Sequence, residues 1–175
     1  MTLAPLRPLA VPALAVALAM AATTVLIAVA ASSFGWIPPD SSSDELRRSL
    51  VTVLVIAAFN LFQGGGLIVG SVIAAAQTAR FSRVIWRTII WVCVVFLPLK
   101  AALIVGAVGA TDLGWLAHAS IWWVLEYLAL ALGAVVAAAT LRQANPLDAV
   151  PYIRVGGVVV VVILLVAAVL ETYLS

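Results

Sequence analysis

The sequence predicts an all-α, polytopic bundle of five transmembrane helices. Three observations predict it. Apolar residues make up 66% of the 175 positions and charged residues 9%, against about 45–50% and about 25% in ordinary globular chains. Five predominantly apolar stretches reach the roughly 20 residues needed to cross a hydrocarbon core about 30 Å thick. The connections between them are too short to fold by themselves. A soluble chain of this length has too little interior to hide so much apolar surface, so the surplus must face lipid.

Taken in order, the first span is expected over residues 9–31. Arg7 precedes it, and Ala28-Val29-Ala30 has the look of a signal-peptidase site. The run is nevertheless longer than a secretory apolar region of about 7–15 residues, so a retained span is expected. Residues 32–48 carry Pro38, Pro39, Asp40 and a serine run and read as a polar loop. The second span is expected over 49–77, followed by a tight basic turn at 78–83. The third covers 84–110 and contains Pro98, which removes a backbone donor and should kink it. An acidic turn at 111–114 leads to a fourth span expected as one continuous helix over 115–141. Asn145-Pro146 marks the next turn, and the fifth span covers 153–174. All five belong to a single transmembrane domain over 1–175.

Basic residues set the expected orientation. Arg7, Arg80, Arg83, Arg87, Arg142 and Arg154 fall on one side, and only Arg47 and Arg48 on the other. Asp40, Asp44, Glu45 and Asp112 share that second side. This predicts an N-terminus in the cytoplasm and a C-terminus outside. Trp86 and Tyr152 near the inner ends, and Trp36, Trp115 and Tyr173 near the outer ends, suit interfacial anchors.

Polar groups inside the spans are the candidate site. An ionisable group deep in a span costs about 2.5–3.5 kcal/mol on insertion scales, and it is usually paired, buried or facing water. At 1.5 Å per residue, Asn60, Lys100 and Glu126 each fall roughly 15–16 Å from the outer ends of their spans. Three helices thereby supply one polar layer, with Gln63 close by, and a Lys100–Glu126 ion pair beside Asn60 is expected. Such a layer either fixes helix arrangement or lines a path for a substrate, proton or lipid.

Gly64, Gly65 and Gly66 lie one turn beyond Asn60, and Gly66 and Gly70 form a G-x-x-x-G. The expected role is close helix packing, with a broken, transporter-like helix as the other reading. His118 and Glu171 are expected as polar groups near the outer face. Cys93, the only cysteine, lies in an apolar run and reads as a small packed residue.

Several classes have no signature here. The chain lacks a P-loop, H-E-x-x-H, G-x-S-x-G and a cysteine–histidine metal set. A net charge of +2 makes no nucleic-acid patch. Neither catalysis, nor a metal or other cofactor, nor a nucleic-acid partner is expected.

The stretch Val124-Leu125-Glu126 with its small-residue run to Gly133 resembles the penultimate helix of the stage II sporulation protein M family. Residues 164–175, an alanine-containing run ending at Glu171, are similar to that family's last helix. Lys100 to Gly106 resembles its glycine-containing central helix, and Asn60 an asparagine in an earlier one. The resemblance spans roughly residues 50–175. It implies a non-catalytic accessory protein of the bacterial plasma membrane that positions envelope-remodelling enzymes. The bilayer and other membrane or envelope proteins would be its partners, in a homo- or hetero-oligomer. Arg80-Phe81-Ser82-Arg83-Val84 and the apolar run to Pro98 look like a middle span of Yip-type five-span proteins, which implies a membrane organiser. Read from the polar layer alone, a small transporter or lipid-handling protein is the alternative function.

Overall fold

The computed structural model describes residues 3–35, 50–110, 113–143 and 146–174. Of the expected polar loop, Ser32 and Ser33 belong to α1 and the part from Trp36 to Arg48, with Asp40, Asp44, Glu45 and Arg47, lies outside the described residues, as do Asp112 and the Trp115 side chain. Every element among the described residues is helical: α1 (Arg7–Ser33), α2 (Leu50–Ala76), α3 (Arg80–Gly109), α4 (Leu113–His118), α5 (Ser120–Arg142) and α6 (Val150–Leu174). Single 3₁₀ turns at Ala4–Leu6 and Pro146–Ala149 precede α1 and α6. Five of these helices are long and apolar enough to cross a membrane.

The first helix extends two residues beyond expectation at each end and the last begins three residues early; two larger differences have visible causes. The third helix begins at Arg80, four residues early, because its first turn is tied to the preceding chain. The Ser82 hydroxyl donates to Gln77 Oε1 (2.8 Å), and Arg83 donates to the carbonyls of Gln77 (2.8 Å) and Thr78 (3.2 Å). These bonds place a guanidinium against carbonyls just past the end of α2, where the helix dipole favours a cation. The fourth span is not continuous. The chain breaks at Ala119, so α4 and α5 are separate helices. Both Trp122 and Trp123 turn their amides back to the Ala119 carbonyl, and the Trp123 indole donates to the Leu116 carbonyl (3.1 Å), which closes the corner. Pro98, by contrast, is buried within an unbroken α3.

The core is organised around α5. In its membrane-length window 61% of residues are buried, against 22–33% in the other four spans, so α5 is the centre and the others form its wall. It packs on α1, α2, α3 and α6, and the wall runs α1, α3, α2, α6. Small residues permit this. Ala129, Ala131, Ala134 and Ala137 are fully enclosed or nearly so, which lets backbones approach closely where lipid offers no hydrophobic drive. Outward faces of the wall helices carry large apolar side chains such as Val11, Leu18, Leu26, Phe62, Val92 and Val95, all exposed. That is the pattern of a bundle whose solvent is hydrocarbon.

Glycines mark the crossings. A Cβ on Gly133 would lie 2.6 Å from the Gly64 carbonyl oxygen, so α5 and α2 meet backbone to backbone. On Gly106 it would lie 2.8 Å from the Thr24 carbonyl oxygen, fixing α3 on α1. Of the four glycines expected to pack, Gly64 lies against Val160 and Leu164 of α6, and Gly70 against Ile90 of α3. Gly65 meets only Leu61 of its own helix, and Gly66 faces open space. The G-x-x-x-G pair therefore does not act as one packing face inside this chain, because its two glycines see different surroundings.

Buried hydroxyls are satisfied mostly within their helices. Ser71, Thr140 and Thr172 donate to carbonyls three or four residues back. Thr24 is the exception, and it leads to the site.

Candidate functional site

A cavity of about 170 Å³ opens among α2, α3, α5 and α6. Its wall includes Asn60 and Gln63 of α2, Lys100 of α3 and Glu126 of α5, so the four polar residues singled out from the sequence surround one space. The remaining lining is apolar: Phe59, Ala101, Ile104, Val105, Leu130 and Leu164, beside Tyr127. Tyr127, Leu130 and Leu164 are buried and form the floor. Phe59 of α2 (62% exposed) and Ile104 of α3 (51% exposed) stand at the rim with the exposed Lys100. The mouth therefore opens sideways between α2 and α3. Asn60 is ten residues into α2 and Lys100 nine from the end of α3, roughly 14–15 Å along each helix.

The expected ion pair is not formed. The Asn60 side-chain amide donates to Glu126 Oε1, and this hydrogen bond joins α2 to α5 one turn from the Gly64–Gly133 crossing. Close backbone approach at that crossing is what brings the short Asn60 side chain within reach. Lys100 instead points to the rim, where its long stem can carry the ammonium away from the apolar wall. The break at Ala119 also changes the geometry. Glu126 lies six residues into α5, roughly 9 Å from its start, rather than 16 Å down a longer helix.

A second polar cluster supports the floor, and sequence reasoning missed it. The hydroxyls of Thr24 and Tyr127 share a hydrogen bond of 2.7 Å. Thr24 also reaches the Ala102 carbonyl (3.2 Å), and the Tyr127 hydroxyl the Ala101 carbonyl (3.3 Å). With one proton each, the hydroxyls of α1 and α5 can make two of these three bonds at a time, and together they hold two successive carbonyls of α3. Trp123 lies against Tyr127 with ring centroids 5.1 Å apart. The available signal was that Tyr127 adjoins Glu126 in a span and that Thr24 interrupts an apolar run; neither fact names a partner.

The remaining candidates lie elsewhere. His118 is exposed at the end of α4, its ring edge-on to Trp122 at 6.2 Å. Glu171 is half-buried near the end of α6 and does not line the cavity, but it lies close enough to Glu126 for the two carboxyl groups to interact electrostatically. Cys93 is a free, partly buried thiol. Among the described residues no group of three or more His, Cys, Asp or Glu side chains comes together.

These features define a class: an all-helical bundle compatible with a multi-pass membrane protein, enclosing a small polar-and-apolar cavity that opens through its side. Compared with protein-family models, curated proteins and solved structures, the chain finds no match.

Proposed function

We propose that this is a non-catalytic multi-pass membrane protein that takes a small amphiphilic molecule from the bilayer through the α2–α3 mouth, and so serves transport or lipid handling. One observation carries the reading: four polar side chains from three helices line a laterally open cavity that is otherwise apolar. Lys100 at the rim and the amide of Gln63 offer donors, the second oxygen of Glu126 an acceptor, and the leucine and isoleucine walls hold a carbon skeleton. An apolar cavity of about 150 Å³ admits benzene. A cavity of about 170 Å³ thus suits a single ring or the polar end of a chain rather than an entire phospholipid.

Six arginines gather at the end of the bundle where α1, α3 and α6 begin and α5 finishes, which supports a cytoplasmic N-terminus and an external C-terminus. The sequence resemblance supports placement in a bacterial plasma membrane. A cysteine at Arg80, in a Cys93→Ala background, should then react with an impermeant thiol reagent only from the cytoplasmic side.

The test of binding is native mass spectrometry after mild solubilisation. The wild-type protein should retain a small molecule, and Ala101→Leu, which adds carbons to the cavity wall, should lose it while keeping its unfolding temperature. Equal occupancy in both would overturn the reading.

A scaffold role, the other reading, is favoured by one further observation. Phe62, Gly66 and Val69 share an outward face of α2, and the Gly66 Cβ position meets nothing within 4 Å. That flat strip between large side chains suits another helix. Recovery of an envelope protein with the wild type, but not with Gly66→Leu, would support it.

A further inference from the structure

Near the arginine-bearing end, α3 and α5 build a second polar feature. Arg80, Arg83 and Arg87 recur at helical spacing with Trp91, so the four share one face of α3. Arg142, at the end of α5, brings its guanidinium over the Trp91 ring, 5.7 Å from the centroid. Because Arg87 and Trp91 are four residues apart, their Cβ atoms lie about 6 Å apart and the two guanidiniums can approach one acceptor. Among the described residues none of these arginines forms an ion pair. Arg83 is committed to the Gln77 and Thr78 carbonyls. Arg87 is not committed: its Nε is buried and finds no hydrogen-bond partner. A buried donor of a charged group without an acceptor is costly, and most such groups in folded proteins are satisfied.

We infer that Arg87 and Arg142, with Trp91 between them, bind the phosphate of an anionic phospholipid. Three features select a lipid. The arginines stand where the apolar part of α3 gives way to its charged end, the level of lipid headgroups. Trp91 is 37% exposed there, in keeping with the interfacial preference of tryptophan. Apolar side chains continue directly down the same helix, with Val92 and Val95 exposed, so acyl chains have a surface to follow. Guanidinium forks suit phosphate oxygens in number and direction. The only acid at this end among the described residues is Asp148, exposed on the turn before α6.

The full chain in mild detergent provides the test, with phosphatidylglycerol, phosphatidylcholine and inorganic phosphate as probes. Lipid retention is read by native mass spectrometry, alongside the unfolding temperature. Phosphatidylglycerol should be retained over phosphatidylcholine. Arg142→Gln, at an exposed position that leaves the fold intact, should weaken that retention about fivefold, the effect of one interfacial arginine. Arg87→Gln should do the same if it folds. Arg154→Gln removes the same charge from α6, which packs on α2 and α5 rather than α3, and should weaken retention clearly less than Arg142→Gln does. Equal losses at Arg142 and Arg154 would mean diffuse charge attraction and overturn the site. Stabilisation by inorganic phosphate that depends on Arg142, with no preference for phosphatidylglycerol, would overturn the lipid assignment.

Discussion

The Gly133 position gives the sharpest measure of how tightly the bundle is drawn. Replacing its hydrogen by a methyl group puts carbon 2.6 Å from the Gly64 carbonyl oxygen and 3.3 Å from that residue's carbonyl carbon. The shortfall from ordinary contact is about 0.8 Å, and the obstacle is backbone, so no rotamer change relieves it. The α2–α5 pair must separate. Overpacking of this kind costs typically 1–3 kcal/mol. The same separation pulls Asn60 from Glu126, one turn away on α2. Gly66→Ala is the internal control: the new methyl meets nothing within 4 Å, and a helical alanine is favoured over glycine by about 0.5–1 kcal/mol. Reversible unfolding in mixed micelles, followed by tryptophan fluorescence, should therefore place Gly133→Ala below the wild type and Gly66→Ala level with it or above. If the two variants shift together, or if Gly66→Ala is the more damaged, the α2–α5 crossing is not the tight contact described.

Three other outcomes follow from the polar contacts. In a double-mutant cycle of Asn60→Leu and Glu126→Leu, the coupling should be about 0.6–1.7 kcal/mol, the range for hydrogen bonds between membrane helices; additive effects would mean the bond contributes nothing. Tyr127→Phe should destabilise by about 0.5–1.5 kcal/mol, because Thr24 keeps the Ala102 carbonyl as acceptor when the phenol is lost. Lys100→Leu should leave the fold standing and ease insertion of α3, by up to about 2.5–3.5 kcal/mol in a translocon insertion assay. Had Lys100 been paired in the interior, the same change would strand Glu126 and cost about 3–5 kcal/mol.

The spans were legible because bilayer thickness sets a length that composition reveals directly. A fixed rise per residue converts sequence position into depth, which serves for Asn60 and Lys100; for Glu126 the break at Ala119 shortens the reckoning from about 16 Å to about 9 Å. Rotation about each helix axis was not legible. These helices are apolar nearly all round, so no polar stripe tells which way Lys100 points, and opposite charges at equal depth suggested a pair that the helix faces do not make. The Gly64-Gly65-Gly66 run shows the same limit: three identical residues in succession point in three directions, and only Gly64 meets a neighbouring helix. The break at Ala119 left no glycine or proline signal; it depends on the Trp123 indole finding the Leu116 carbonyl. The clasp of Thr24 on Tyr127 joins residues 103 apart, a partnership that follows only from the packed bundle.

The helix that every other span leans on is the fourth of the five to leave the ribosome. Until it arrives, α1 and α2 have α3 as their main neighbour, and the alanine-lined seams they present have nothing to receive. If the spans insert in chain order, α1 and α3 can pair by themselves, α5 then supplies the surface on which α1, α2 and α3 close, and α6 covers the last side. A chain truncated before Ser120 would lack that hub, whereas one lacking only α6 would keep it and lose the Leu164 part of the cavity floor.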